Sequence, residues 1–154
     1  VSDRCSVGTR EDASGPGLVE LLTNSCPAEC VGIRIVPDER GQIAAALRDW
    51  ADADDAPDLV LTTGGTGLAP RDVTPEATLD IIDRRHDALL ELAKLRCYDI
   101  TPKTYLSRGI AGTRAQTLIL NLPGSPRGSS EWLAAITDLL PHAIDTLRGD
   151  VADG

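Results

Sequence analysis

The stretch Asp58 to Asp72, DLVLTTGGTGLAPRD, constrains the fold more than any other part of the chain. Leu59, Val60 and Leu61 form a short apolar run between an acidic, proline-bearing segment and a set of glycines, the pattern of a strand buried on both faces in a parallel sheet. The strand empties into a loop in which Gly64, Gly65 and Gly67 leave backbone N–H groups uncovered and permit positive φ, while Thr62, Thr63 and Thr66 add hydroxyls. A carboxylate follows at Asp72. Thr74-Pro75-Glu76-Ala77 then predicts a helix start, with Thr74 as N-cap and Pro75 in the first helical position, where a missing N–H costs nothing. Strand, loop and helix terminus together describe an anion site at the carboxyl end of a strand. On the glycines alone, a tight turn closing a βα unit is the favoured reading of the loop, because short glycine motifs recur by chance. No Lys follows the last glycine as a Walker loop requires, and the spacing is not GxGxxG.

At 154 residues the chain is expected to be one domain, residues 1–154, large enough to need no staple. With 42% hydrophobic and 25% charged residues it reads as globular and soluble, without a signal peptide or membrane insertion. A net charge of −9 excludes an extended nucleic-acid footprint, which needs a basic face. Anionic small molecules stay compatible with it, because loop dipoles and a few Arg residues reverse the field locally. Cys5, Cys26, Cys30 and Cys97 lack paired CxxC spacing and predict reduced thiols in a cytoplasmic protein, with Cys26 and Cys30 near enough in sequence to pair. Phe and Met are absent, so the core rests on Leu, Ile, Val and Ala with Trp50 and Trp132.

Taken in order, the chain predicts a helix near Gly17 to Thr23, a strand over Val31 to Val36 ended by Pro37, and a helix over Glu39 to Ala53. After the central strand, Leu79 and Ile82, then Leu89, Leu92 and Leu95, predict two helices or one bent helix. Leu106 to Arg114 reads as a second glycine-punctuated loop and Thr117 to Leu122 as a buried strand, turned by Pro123-Gly124-Ser125-Pro126. A last helix is expected from Ser129 or Ser130 to Leu147 with a kink at Pro141. The alternation implies an α/β fold: a three-layer αβα arrangement, mostly parallel, with helices on both faces.

Asp38 and Asp72 each follow a predicted strand, so a parallel sheet puts both at one rim. Asp38 is equally a candidate N-cap for the helix after it. A carboxylate pair of this kind suits Mg²⁺, which keeps several waters and shares substrate phosphates. Ser-His-Asp, Cys-His and HExxH sets are absent, and transfer between two anions needs positioning and charge neutralisation more than a base. Arg71, Arg108 and Arg114 are candidates for that neutralisation and Ser107 for a phosphate hydrogen bond, each also readable as surface charge or turn cap.

Four segments match one family in the same order. Ser2-Asp3-Arg4 with Asp12 to Pro16, Pro37-Asp38-Glu39, Thr63 to Thr78, and Leu106-Ser107-Arg108 with Asn121 to Pro126 resemble the molybdenum-cofactor biosynthesis domain of the molybdopterin adenylyltransferase and gephyrin G-domain type. The resemblance implies a homotrimer that adenylylates the terminal phosphate of molybdopterin from Mg·ATP and releases pyrophosphate. It implies essential carboxylates at Asp38 and Asp72, holding Mg²⁺, with Ser107 beside them. Thr63, Gly64, Gly65, Thr66 and Gly67 would hold phosphates, with Ser2, Asp3, Asn121, Pro123, Gly124 and Ser125 lining the site. A molybdenum insertase domain or partner is implied as well.

The family carries an apolar strand leading into its Ser-Asp motif, so the likeness implies that the first strand is lacking here. Arg85, Asp87, Ala88, Cys97, Lys103 and Tyr105 depart from the family pattern near the implied pterin pocket, which bears on substrate affinity more than on fold. The competing expectations are a pterin-binding or trimerising scaffold module of a gephyrin-like protein, and another nucleotide-using enzyme on the same fold.

Overall fold

A computed structural model describes residues 1–9 and 11–150. Its elements are α1 (Asp3–Ser6), α2 (Ser14–Ser25), α3 (Arg40–Ala51), β1 (Leu59–Thr63), α4 (Thr74–Leu79), β2 (Arg84–Arg85), α5 (Ala88–Arg96), β3 (Ala111–Arg114), β4 (Thr117–Leu122), α6 (Pro126–Ala134) and α7 (Leu140–Arg148). Short 3-10 turns occupy Pro102–Leu106 and Thr137–Leu139. The sheet order is β1-β4-β3-β2; β1 runs parallel to β4, and β3 runs antiparallel to both of its neighbours.

β4 is the axis of the molecule because its period-two alternation feeds two apolar layers at once. Leu118, Leu120 and Leu122 pack with Leu18 of α2, Leu90 and Ala93 of α5, Trp132 and Leu133 of α6, and Leu140 of α7. Ile119 points the other way, into Ile43, Ala44 and Leu47 of α3, Ala77 of α4 and Ile81. The expected α/β class with helices on both faces is therefore present. Trp132 is buried and donates its indole N–H to the Thr104 hydroxyl at 2.8 Å. Trp50 is only half-buried, with the Arg34 guanidinium 5.5 Å from its ring centroid.

Several expectations are corrected. Residues 31–36 join no strand among the described residues, and Val31, Ile33 and Ile35 are exposed, so the predicted strand there has no ladder. β1 is half-buried rather than enclosed on both faces, because its second edge is open. The second glycine loop is partly β3, which turns into β4 through Ala115 at φ 48°; the Ala115 N–H is held by Asp83 Oδ2 at 2.8 Å. Glycine in that strand hid the signal; Gly112 sits under the Ile82 side chain, where a Cβ would collide. α6 begins three or four residues earlier than expected, at Pro126, capped by the Ser125 hydroxyl, which accepts from the Gly128 N–H. Pro141 falls in the first turn of α7 rather than kinking a continuous helix. All four cysteines are free thiols. No described helix is long and apolar enough to cross a membrane.

At the centre, fully buried Asn121 joins three elements. Its Oδ1 accepts from the Ile110 N–H at 3.3 Å, and its Nδ2 donates to the Thr62 and Thr78 hydroxyls, both at 3.0 Å. Asn121→Ala leaves the Ile110 N–H and the Thr62 hydroxyl unmet in the interior and removes one of the two bonds of the Thr78 hydroxyl, and is expected to lower the urea unfolding free energy by about 2 to 3 kcal/mol. A loss below about 0.5 kcal/mol would show that water replaces those bonds freely.

Candidate active site

The site forms where β1 ends. Gly64 and Gly65 have φ of 95° and 63°, conformations that side chains strain to adopt, and a Cβ at either would collide, at Gly64 with the Val1 carbonyl and at Gly65 with the Thr74 hydroxyl. This turn leaves the N–H groups of Gly65, Thr66 and Gly67 without a protein acceptor among the described residues. Successive free N–H groups on such a turn form a concave anion seat. Gly124, in the turn after β4, lies against Gly64, so close that a Cβ there would be 3.0 Å from the Gly64 Cα.

Both expected carboxylates flank this seat. Asp38 Oδ1 lies against Gly65 and Asp72 Oδ2 against Gly67, where added Cβ atoms would stand 3.1 and 2.8 Å away. Asp38 does not cap α3; Glu39 takes that position without a side-chain bond. Instead Asp38 and Asp3 lock reciprocally: the Asp3 N–H donates to Asp38 Oδ2 at 2.8 Å and the Asp38 N–H to Asp3 Oδ1 at 2.9 Å. Asp72 Oδ2 accepts from the Ala69 N–H at 2.9 Å. Each carboxylate thus keeps one oxygen without a protein donor among the described residues. Asp38 Oδ1, which faces Gly65, and the second oxygen of Asp72 are of the kind a magnesium ion takes, with one or two carboxylates and a shell completed by water and phosphate. No cluster of three or more His, Cys, Asp or Glu suited to a metal occurs among the described residues.

The arginines fall into three different places. Arg71 is at the rim but already paired, to Asp3 at 2.6 Å and Glu39 at 2.9 Å. Its guanidinium, with the Asp38 N–H, holds the Asp3 carboxyl below the ordinary range. Arg108 is a strut rather than a free cation: it donates to the carbonyls of Gly67 (2.8 Å) and Asp72 (2.5 Å) and to Glu76 Oε1, tying the loop to α4. Arg114 is at the wrong end. It faces Thr117 in the hairpin, beside the start of β1, and pairs with Asp52 at 2.7 Å and with the Ile81 carbonyl. A site at the end of β1 is out of its reach because β3 runs antiparallel to β4 and carries Arg114 to the opposite rim.

Other predicted residues are brought in. The Ser2 hydroxyl caps α1, Ser107 donates to the Thr66 hydroxyl at 3.2 Å, and the Thr63 carbonyl accepts from the Val1 amine. Ser107, Pro123 and Ser125 line a second cavity of about 240 Å³ together with Cys97, Lys103 and Thr104. Burial pushes the Cys97 thiol up, so it is a neutral wall of this cavity. Tyr105 lies outside it, exposed and edge-on to Tyr98 at 6.1 Å. Arg85 and Asp87 are spent on each other, with Asp87 also holding the Ala111 N–H; Ala88 opens α5. Asn121 belongs to the buried network rather than the surface of the site.

Thr74 is not an N-cap. It is the first residue of α4; its hydroxyl donates to the Gly64 carbonyl at 2.9 Å and its N–H to the Gly65 carbonyl at 3.0 Å, so the start of α4 supports the loop instead of facing an anion. The sequence reading missed this role and the role of Glu76, although both residues stand in the Thr-Pro-Glu-Ala-Thr run directly after the loop.

A sheet ending in a glycine turn flanked by carboxylates, with a cavity lined by Ser107 beside Thr66, describes an α/β domain. The chain belongs to the family described as probable molybdopterin binding domain, whose model matches residues 1–142. It is 40% identical over 151 residues to a molybdopterin adenylyltransferase of Helicobacter pylori, covering 97% of this chain and 85% of that protein. It is 41% identical over 152 residues to the molybdenum cofactor synthesis protein cinnamon of Drosophila melanogaster, spanning 99% of this chain but only a quarter (25%) of that protein. The solved structure of the molybdopterin biosynthesis enzyme MoaB of Thermus thermophilus is 48% identical, with a TM-score of 0.89, and the match covers 96% of this chain and 92% of that one.

The Arg108–Glu76 pair gives a pH signature. Arg108 holds the Glu76 carboxyl below its ordinary range, so the pair's contribution is complete above the ordinary glutamate pKa and fades as pH falls through the lowered folded-state value. Glu76→Gln is expected to cost about 1 kcal/mol at pH 7, modest because both side chains are about one-third exposed (36% and 35%). In urea titrations the gap between the native protein and this variant should close on acidification; a gap that holds constant with pH would contradict the pairing.

Proposed function

We propose that this domain is a nucleotidyltransferase, a molybdopterin adenylyltransferase acting in molybdenum cofactor biosynthesis. The observation that carries the reading is that Asp38 lies against Gly65 and Asp72 against Gly67 in the glycine turn at the end of β1. The adenylyltransferase relative, matched over most of its length, supports the same reaction. An oxygen of the terminal phosphate of molybdopterin forms a bond to the α-phosphorus of ATP; the bond from that phosphorus to the bridging oxygen breaks, and pyrophosphate leaves with the electron pair. The attacking phosphate monoester is largely deprotonated at neutral pH, so no side chain has to remove a proton.

The chain's work is positioning and neutralisation. The N–H groups of Gly65, Thr66 and Gly67 bind phosphate oxygens, and the cavity beside Ser107, Pro123 and Ser125 takes the pterin. Arg71 lies at the rim, where exchanging a carboxylate for a phosphate is inexpensive because its side chain is 58% exposed. Asp38 and Asp72 hold Mg²⁺, which supplies neutralisation of the triphosphate charge. Arg108 and Thr74 act through the loop, fixing the seat rather than touching substrate.

The protein is further read as a cytoplasmic homotrimer. Free cysteines agree with a reducing compartment. Leu95, Tyr98, Ile100, Tyr105 and Leu106, all at least half exposed, supply apolar surface suited to an interface with other copies. The Drosophila relative, about four times longer, supports a second reading in which this domain is a pterin-binding or trimerising scaffold module of a gephyrin-like multidomain protein.

Asp38→Asn and Asp72→Asn keep the acceptor oxygens used by Asp3 and Ala69 but remove the charge. Each is expected to lower kcat/KM for magnesium-dependent adenylyl transfer to molybdopterin by about 100-fold or more, with little change in thermal midpoint. Unaltered transfer in either variant would remove that carboxylate from the chemistry. Light scattering should give three times the chain mass, and Tyr105→Asp together with Leu106→Asp should reduce it to the monomer.

A further inference from the structure

Thr104 uses its hydroxyl differently from other threonines in the helical turns of this chain. Thr23, Thr78, Thr137 and Thr146 each donate to the carbonyl four residues back, at 3.0, 2.9, 2.6 and 2.7 Å. Thr104, in the 3-10 turn Pro102–Leu106, is 6% exposed, and its hydroxyl oxygen accepts from the Trp132 indole N–H at 2.8 Å. An indole nitrogen only donates, so the Thr104 oxygen is committed as an acceptor on that side and its own proton is left over. Among the described residues no acceptor takes that proton.

Thr104 and Trp132 both line the cavity of about 240 Å³ beside Ser107. The other polar groups there lean the same way. Ser125 accepts from the Gly128 N–H at 3.1 Å, which leaves its hydroxyl proton to give, and the Lys103 ammonium has donors alone. The Cys97 thiol is spent on the Glu131 carbonyl at 3.6 Å, and Glu131 Oε1 on Arg127 at 2.7 Å. Pro123 and Trp132 add apolar wall. A ligand that fits brings an apolar body with hydrogen-bond acceptors on its edge.

We propose that Thr104 is a specificity-determining residue of this cavity, donating its hydroxyl proton to a ring-nitrogen or oxo acceptor of a fused-ring heterocycle, and that Trp132 is the positioning residue holding the hydroxyl in that sense. The proposal rests on the reading of this cavity as the pterin pocket. A buried hydroxyl whose direction is set from within the protein rejects a ring without an acceptor, because that ring displaces water and offers the proton nothing in return. The same turn leads into the candidate site: the Ser107 N–H donates to the Thr104 carbonyl at 3.4 Å, and the Ser107 hydroxyl donates to Thr66 at 3.2 Å. A heterocycle held at Thr104 is thereby placed next to the glycine loop.

The probes are pterin carboxylate and naphthalene carboxylate, two planar acids of similar outline, of which the second has no ring nitrogen or oxo group. Binding to the full chain, without ATP or magnesium, is followed by NMR at the amides of Ser107 and Gly128, and is expected to favour the pterin by about tenfold or more. Thr104→Ser keeps the donor and should keep that preference. Thr104→Val combined with Trp132→Phe removes the hydroxyl and the indole N–H together, so neither is stranded in the interior, and should bind the two probes alike. Trp132→Phe alone frees the hydroxyl to turn and should weaken the pterin by about threefold, with the naphthalene acid unchanged. The proposal would be overturned by equal affinities for the two probes in the native protein, by no shift with either, by loss of the preference in Thr104→Ser, or by pterin affinity unaltered in Trp132→Phe or in the double variant. Adenylyl transfer by the native protein alongside such a result would leave the reaction reading intact. Pterin binding with the expected dependence on Thr104 but no transfer would strike the reaction reading alone.

Discussion

The left-handed backbone at Gly64 and Gly65 is the constraint on which the rest of the site depends. A chain leaving a parallel strand with two successive positive φ angles turns its N–H groups toward one point, and only residues without a Cβ do so here, because the Val1 carbonyl and the Thr74 hydroxyl occupy the space a side chain would need. The turn is then held from three sides. Thr74 fastens the carbonyls of Gly64 and Gly65, Arg108 fastens those of Gly67 and Asp72, and Gly124 closes against Gly64 from the end of β4. Preorganisation of this kind puts the ordering cost into folding rather than into each binding event.

The same geometry fixes the carboxylates. Asp38 lies against Gly65 just after Val36, whose carbonyl accepts from the Ser2 N–H, and its orientation is set by reciprocal bonds with Asp3. Asp72 arrives through the short connection to α4, its own carbonyl held by Arg108. Charge is handled in pairs: of the basic groups near the rim, Arg71 faces two carboxylates and Arg108 one, so the acids around the loop are already neutralised in part. That arrangement reconciles a chain of net charge −9 with the phosphate site proposed above.

What was legible in the sequence was whatever depends on local chemistry. β1, the glycine turn, α3 and β4 follow from apolar runs and glycine spacing, and the two carboxylates follow from their positions after extended segments. What was not legible depends on contacts distant in sequence. Arg108 and Arg114 look alike in one glycine-bearing stretch, yet the β3–β4 hairpin separates them, sending one to the loop and the other to Asp52. Asn121 reads as a polar residue at a strand end, but its three partners come from β1, α4 and the segment before β3. The segment 31–36 has strand alternation and lacks a ladder because pairing belongs to the neighbour, not to the residue.

The most direct measurement of the central claim, that the loop after β1 is the phosphate seat, is an NMR titration of backbone amides with Mg·ATP. The account predicts saturable shifts concentrated at Gly65, Thr66 and Gly67, with Arg114 and its surroundings unmoved. Saturable shifts centred on Arg114 and Asp52, with the glycine loop silent, would contradict it.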